Sequence, residues 1–322
     1  MTENKFTFQR SLDGLLLAKQ AEGKSPNTLK WYRYQLTNFN SWVKRIAQSD
    51  LLSDITPEQI REYLKYLREE HVPFSNHPLK RNKLIAGCSQ RMVLGAFATL
   101  STFFNWAVVE GLINRSPTAN IKRPKVAKTI TPVFSKDEMT TLLKACEEGD
   151  DEAIIARNKA ILMVLLDTGV RISELLDMRI NRINLNESSA QVHGKGSKDR
   201  NIYFGAQSKK ALWRYISLFR PQPMGVVNNV FLNHDGTALQ SRRVAHILKK
   251  LGKKAGVDNV HPHRFRHTAA VQFLRNGGNL FALQKMLGHT TLDMVRYYVE
   301  LSQEDVKNVH KTASPADNWG LG

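Results

Sequence analysis

The amino-acid sequence predicts a mainly helical chain of the α+β kind, in two domains with one small β element. Apolar residues recur at three- and four-residue spacing through most of it, as the buried stripe of an α-helix requires. One stretch, "QVHGKGSKDRNIYF" at residues 191–204, reads instead as two short strands around a Gly-Lys-Gly-Ser turn. Residues 116–133, "SPTANIKRPKVAKTITPV", hold three prolines and several lysines without a helical period. They predict an extended basic linker, with residues 1–115 and 134–322 as separate domains and the boundary near residue 125.

Each element has its own signal. Ser25 as N-cap and Pro26 at the first helical position open a helix whose stripe is Leu29, Tyr32, Leu36, Phe39, Val43 and Ile46. Thr56 and Gln59 fit a capping box around Pro57, followed by Ile60, Tyr63, Leu64 and Leu67. "HVPFSNHP" breaks the period, and "SQRMVLGAFATLSTFFNWAVVEG" predicts a long third helix with Gly111 placed to end it. In the second domain Ser135 and Glu138 repeat the capping box, and "ARNKAILMVLLDTG" is a strongly apolar helix that Gly169 turns before "VRISELLDM". Helices follow the hairpin in "AQSKKALWRYISLF", "SRRVAHILKKLGKKAG", "HRFRHTAAVQFLRNG" and "NLFALQKMLG".

Composition narrows the class. With 322 residues, 42% hydrophobic and 24% charged, the chain can bury one good core or two. No uninterrupted apolar run approaches bilayer length, and "MTENKFTFQR" lacks the features of a signal peptide, so a cytoplasmic protein with no membrane partner is expected. Cys88 and Cys146 are isolated, which points to neither a disulfide framework nor a cysteine metal site. The formal charge of +18 is the informative number, because such an excess of cations seeks a polyanion and releases counterions on binding. Double-stranded DNA is the leading partner class. Lys30, Arg33, Arg81, Lys83 and Arg91 in the first domain, with Arg242 and Arg243 in the second, are candidate phosphate contacts; each alone also fits a solvated face.

Four short sites carry candidate chemistry. Arg171, in "DTGVRISEL", starts a helix after a glycine turn and also fits a surface pair with Glu174 one turn on. Lys195 sits in the turn "HGKGSKDR", where a lysine usually serves solubility. "HPHRFRHTAA" places His263 and His267 four apart, but the metalloprotease zinc motif needs a glutamate where Arg264 stands, so no metal is expected. His263 and Arg266, three apart on one helical face, instead form a donor set suited to an oxyanion. His289, after a Leu-Gly helix end, fits either a cap or a catalyst, and the pair Tyr297 and Tyr298 follows.

Taken together and in order, "TGVRISEL", "GKGSK", "HRFRHT" and "LGHTTLDMVRYY", over about 130 residues, resemble the active-site motifs of the tyrosine recombinases, the integrase family that cuts and rejoins DNA. "SPNTLKWYRYQLTNF" and "FNWAVVEGLINRSPTANIKRPK" are similar to that family's SAM-like core-binding domain, so the resemblance covers nearly the whole chain. Valine in "TGVR" and phenylalanine in "HRFRH" stand where leucine is usual. The resemblance implies that Arg171, Lys195, His263, Arg266, His289 and Tyr298 are catalytic and that Glu174 supports Arg171. It implies a 3′-phosphotyrosine, a Holliday junction and four protomers on paired DNA sites; the tail after Tyr298 begins with a helical pattern and has little core of its own, so it is expected to pack on a neighbouring protomer.

The residue types suit that chemistry. Displacement at a phosphodiester gathers negative charge on non-bridging oxygens, and an arginine can give two parallel hydrogen bonds to them. Ionising a tyrosine near pH 7 costs roughly 4 kcal/mol, at ~1.36 kcal/mol per pKa unit, which a cationic cluster and a basic histidine offset. Lys195 would protonate the departing 5′-oxygen. No cofactor is implied. At ~100° per residue Tyr298 falls on the apolar side, between Met294 and Val295, and Tyr297 on the polar side. Integration, excision or transposition of a mobile element is the expected role, in the nucleoid, with an accessory or directionality factor as a possible partner. Chromosome-dimer resolution, DNA inversion, a type IB topoisomerase, a non-catalytic DNA-binding regulator and, remotely, a zinc hydrolase are the competing readings.

Overall fold

The computed structural model describes residues 6–46, 49–72, 86–126, 132–149, 151–194, 199–288, 310 and 314–319. The chain divides into two units, Met1–Thr129 and Ile130–Gly322.

Among the described residues four α-helices build the first unit: α1 (Phe8–Ala21), α2 (Pro26–Ile46), α3 (Pro57–Glu69) and α4 (Gln90–Val109). The sequence signals did not single out α1; Thr7 caps it, accepting from the Arg10 amide, and Phe8, Leu12, Leu15 and Leu16 are buried. In α2 the predicted stripe holds at Leu36, Phe39 and Val43, but Ile46 is exposed and Trp42 is buried instead. Thr56 and Gln59 form the full capping box of α3, each satisfying a backbone N–H of the other. Gly111 follows α4 at φ 70°, in the left-handed region that suits glycine.

The core of this unit is aromatic. Phe8 packs on Phe103 with ring centroids 4.7 Å apart, and Phe39 meets the edge of Tyr63 at 5.0 Å. By length and composition α4 qualifies as membrane-spanning, contrary to the sequence expectation. Its apolar residues are explained by the core, because Leu100, Phe103, Phe104 and Ala107 are all buried against the other helices.

The predicted linker begins later than expected. Ser116 and Thr118 are buried and share a hydrogen bond, and Ile121 packs against the first core, so residues 116–121 fold onto the first unit. At the other end Phe134 is fully buried in the second core.

The second unit contains α5 (Lys136–Glu147), α6 (Glu152–Thr168), α7 (Ile172–Leu176), a sheet, α8 (Ala206–Arg214), α9 (Ser241–Ala255), α10 (Pro262–Arg275) and α11 (Leu280–Leu287). The predicted hairpin is present as β2 (Ser189–His193) and β3 (Asp199–Tyr203), and β1 (Ile183–Asn184) adds a third antiparallel strand in the order β1-β2-β3. Register pairs Val192 with Arg200 and His193 with Asp199, on either side of the segment that contains Lys195. Ile161, Leu165, Leu212, Phe231, Leu248 and Phe265 lie in one aliphatic-rich core. The two family-unusual apolar residues are both core: Val170 and Phe265 are buried.

Candidate active site

Three segments converge through their backbone turns. Gly169 ends α6 at φ 58°, and a Cβ there would lie 2.9 Å from Leu287 Cδ2 and 3.2 Å from Ala269 Cβ, so only glycine allows the approach. Gly288 ends α11 in the same left-handed conformation, at φ 64°. These two turns set the start of α7, the middle of α10 and the end of α11 against one another.

The last carbonyls of a helix have no intrahelical donor and carry the negative end of its dipole. Here arginines supply the donors. Arg266 Nη2 donates to the Leu287 carbonyl at 2.7 Å and its Nη1 to the Gly169 carbonyl at 2.7 Å. Arg171 Nη1 reaches the same Leu287 oxygen at 3.5 Å. The two guanidiniums thus meet at one atom, although their residues are about half the unit's length apart in sequence. Arg266 is buried, whereas the Arg171 side chain keeps 30% of its exposure and bonds Glu174 and the Leu287 carbonyl through Nη1.

Glu174, the second-row candidate, is 1% exposed. Its Oε1 accepts from Arg171 Nη1 at 2.9 Å and its Oε2 from the Arg171 amide at 2.8 Å, so it holds both the side chain and the helix start. Burial alone would raise its pKa; hydrogen bonds from Arg200 and Arg171 overcome that and hold the carboxyl below its ordinary range. The surface-pair reading of Arg171 is therefore replaced by a buried carboxylate under a half-exposed guanidinium.

His263 stands exposed in the first turn of α10, one turn before the buried Arg266 on the same face. His261 caps that helix, its Nδ1 accepting from the Arg264 amide at 3.2 Å. Burial, then the nearby His263 and Arg264, pushes the His261 pKa down. Arg264 turns to Glu138 and the carbonyls of Pro132, Val133 and Asp258, and lies over the Phe134 ring. It pins the start of the second unit. His267 is buried while His263 is exposed, and no group of three or more His, Cys, Asp or Glu able to hold a metal occurs among the described residues.

Lys195, His289, Tyr297 and Tyr298 lie outside the described residues, as do Arg81 and Lys83. Of the other candidate phosphate contacts, Lys30, Arg33, Arg91, Arg242 and Arg243 are all exposed. Arg33 lies 3.6 Å from Asp13. Arg243 also lines a cavity of about 470 Å³ with Cys146, Arg157 and His246, away from the arginine site.

The model of the phage integrase family matches residues 132–305, and that of the phage integrase SAM-like domain matches residues 15–123. The chain belongs to the phage integrase family of tyrosine recombinases. Among curated relatives it is 32% identical over 294 residues to tyrosine recombinase XerC of Staphylococcus aureus strain bovine RF122 / ET3-1, covering 90% of this chain and 91% of that protein. It is 30% identical over 292 residues to tyrosine recombinase XerC of Leptospira interrogans serovar copenhageni, covering 90% and 88%. In fold it is similar to the Tn1549 transposon integrase in complex with transposon right end DNA, with TM-score 0.71, 16% identity and coverage of 91% and 94%. A second similar structure is the XerH site-specific recombinase bound to palindromic difH substrate, with TM-score 0.68, 18% identity and coverage of 97% and 85%.

Within this tyrosine recombinase, sequence reading passed over Arg200. Its guanidinium faces Glu174 with two bonds, at 2.7 and 2.9 Å, and its Nε donates to the Met286 carbonyl at 3.0 Å. The one available signal was an arginine at a strand position paired with the buried Val192, an odd place for a cation.

Proposed function

We propose that this chain is a site-specific DNA recombinase that cuts and rejoins double-stranded DNA through a phosphotyrosine formed by Tyr298. The observation that carries this reading is the meeting of Arg171 and Arg266 at the Leu287 carbonyl, above the buried Glu174. Two permanently charged guanidiniums at one place are a stabiliser for the added negative charge of a five-coordinate phosphorus.

In this reading the Tyr298 oxygen attacks phosphorus and gives its proton to His263, while His289 donates to a non-bridging oxygen. The bond from phosphorus to the 5′-oxygen breaks, and Lys195 supplies the proton that makes the departing oxygen a hydroxyl. A 5′-hydroxyl from a partner site then attacks the phosphotyrosine, restoring the tyrosine and leaving a Holliday junction. One ester replaces another of similar energy, so the exchange is close to isoenergetic. Four protomers on paired sites, with the tail beyond Tyr298 packed on a neighbour, complete the assembly; removal of residues 303–322 tests that contact by loss of synapsis. A division into an N-terminal DNA-binding domain that extends through residue 121 and a catalytic domain from residue 134, phosphate contacts from Lys30, Arg33, Arg81, Lys83, Arg91, Arg242 and Arg243, and action in the cytoplasm at the nucleoid belong to the same proposal. Its biological use is placed in integration, excision or transposition of a mobile element; sequenced junctions from cells separate this from chromosome-dimer resolution and inversion.

The test is covalent trapping. A pool of nicked duplexes tiled over DNA of the source cell is incubated with the chain, and denaturation-resistant protein–DNA adducts are recovered and sequenced. Wild type and Tyr297→Phe should form the adduct and Tyr298→Phe should not. An adduct that persists in Tyr298→Phe contradicts the assignment.

A further inference from the structure

Arg200 lies on β3, yet its three side-chain hydrogen bonds leave the sheet. Nη1 and Nη2 grip both oxygens of Glu174 in a parallel fork, at 2.7 and 2.9 Å, and Nε holds the Met286 carbonyl at 3.0 Å. Its side chain is 13% exposed, less than half the figure for Arg171. A Cβ on Gly288 would lie 3.2 Å from Arg200 Cδ and Nε, so the stem of the arginine runs directly against the turn that ends α11. His289 is the next residue in sequence, and Asp199, which closes the hairpin by its bond to His193 at 2.6 Å, is the previous neighbour of Arg200.

We infer that Arg200 is a positioning residue for phosphoryl transfer: one guanidinium ties the start of α7, the end of α11 and the strand leading from the Lys195 turn into a single rigid set. This rests on the function proposed above, because the groups it orders are the candidate catalytic ones. Glu174 cannot do the same alone. Its carboxylate is buried, and without Arg200 it keeps, among the described residues, the two bonds from Arg171, while the Met286 carbonyl at the negative end of α11 loses the Arg200 donor. A lysine in place of Arg200 could satisfy one of these partners but not the fork and the carbonyl together. Since Arg200 reaches phosphate only through Arg171 and the turn before His289, its loss should slow chemistry without weakening DNA binding.

The duplex trapped by the wild-type chain serves as a nicked suicide substrate for full-length Arg200→Met and Arg200→Lys. Both should bind it within about twofold of the wild-type Kd, yet cleave it about 10- to 100-fold more slowly at saturating DNA, the size of loss that misplacement of a reacting group produces. The acid limb of the cleavage rate should move to higher pH in Arg200→Met, because Glu174 then keeps its burial and loses the first of the bonds that hold its proton off. Combined with Glu174→Gln, Arg200→Met should add less than the product of the separate losses. If Arg200→Met does not fold, Arg200→Lys, which keeps the charge, carries the same comparison of rate against Kd. Cleavage within twofold of wild type in a folded variant would overturn the inference, as would equal loss in Kd and rate, which would make Arg200 a DNA contact. A wild-type chain that traps no duplex from the pool would instead reject the active-site reading itself, and this inference with it.

Discussion

The first unit fills its core with rings and aliphatic side chains, Phe8, Phe39, Tyr63, Phe103 and Phe104 among them, and among its described residues the buried polar groups are neutral: Ser11, Gln35, Asn40, Thr99, Ser116 and Thr118. The second unit has a larger, more aliphatic core and, among its described residues, buries four charged ones, Arg157, Glu174, Arg264 and Arg266. A buried charge is costly unless paired and hydrogen-bonded, so each of the four marks a place where the fold has arranged partners. Partners also sort them. Arg264 bonds Glu138 and the chain entering the unit, and Arg157 bonds Asn158 and the Leu232 carbonyl; both are structural. Arg266 and Glu174 alone meet at a half-exposed guanidinium, that of Arg171. Burial of charge therefore marks out the second unit, and exposure of the neighbouring partner marks the candidate site within it.

Equal losses of stability with different pH behaviour would sharpen that contrast most. Phe103→Ala in the first unit and Glu174→Gln in the second should each cost about 3–5 kcal/mol by denaturant titration, the first through a cavity and the second through a broken buried ion pair. Their dependence on acid should differ. Glu174 has a folded pKa below the ordinary 4.5, so its charged form stabilises fully above that value and the contribution is lost as pH falls through the folded pKa. The gap between wild type and Glu174→Gln should narrow below about pH 4.5, whereas the Phe103→Ala gap should not. Glu138 and Asp199 are also held low, but they titrate alike in both chains and cancel in the difference.

Smaller effects probe the turns and the surface. Gly169→Ala forces a Cβ to 2.9 Å from Leu287 in a left-handed backbone, and should cost about 1–3 kcal/mol of stability while separating Arg171 from Arg266. Cleavage should fall more than stability explains. Arg33→Ala breaks an exposed pair with Asp13 and should change melting by no more than about 0.5 kcal/mol. A larger loss would mean that the first unit, too, depends on its charges.

The helices were largely legible because local chemistry sets them: both capping boxes form, and the predicted hairpin pairs in register. α1 was missed although its stripe is present, since Leu15, Leu16 and Leu17 run together and blur the period; Leu17 is exposed. The linker was drawn too long, because composition gave no sign that Ser116 and Thr118 would be buried. Arg171, Glu174 and Arg266 could be named from motifs, and Glu174 from its spacing as well. Arg200 could not, because its role comes from contacts 26 and 86 residues away that no local pattern encodes. The burial of Arg264 depends in the same way on Glu138, 126 residues distant.

In the proposed reaction the arginine pair serves a tyrosine nucleophile at position 298. Tandem mass spectrometry of the DNA-linked peptide, released by protease from the trapped wild-type adduct, addresses it at the level of one bond. The account predicts a single peptide with the 3′-phosphoryl nucleotide on Tyr298. Attachment to Tyr297 or to any other residue would contradict it.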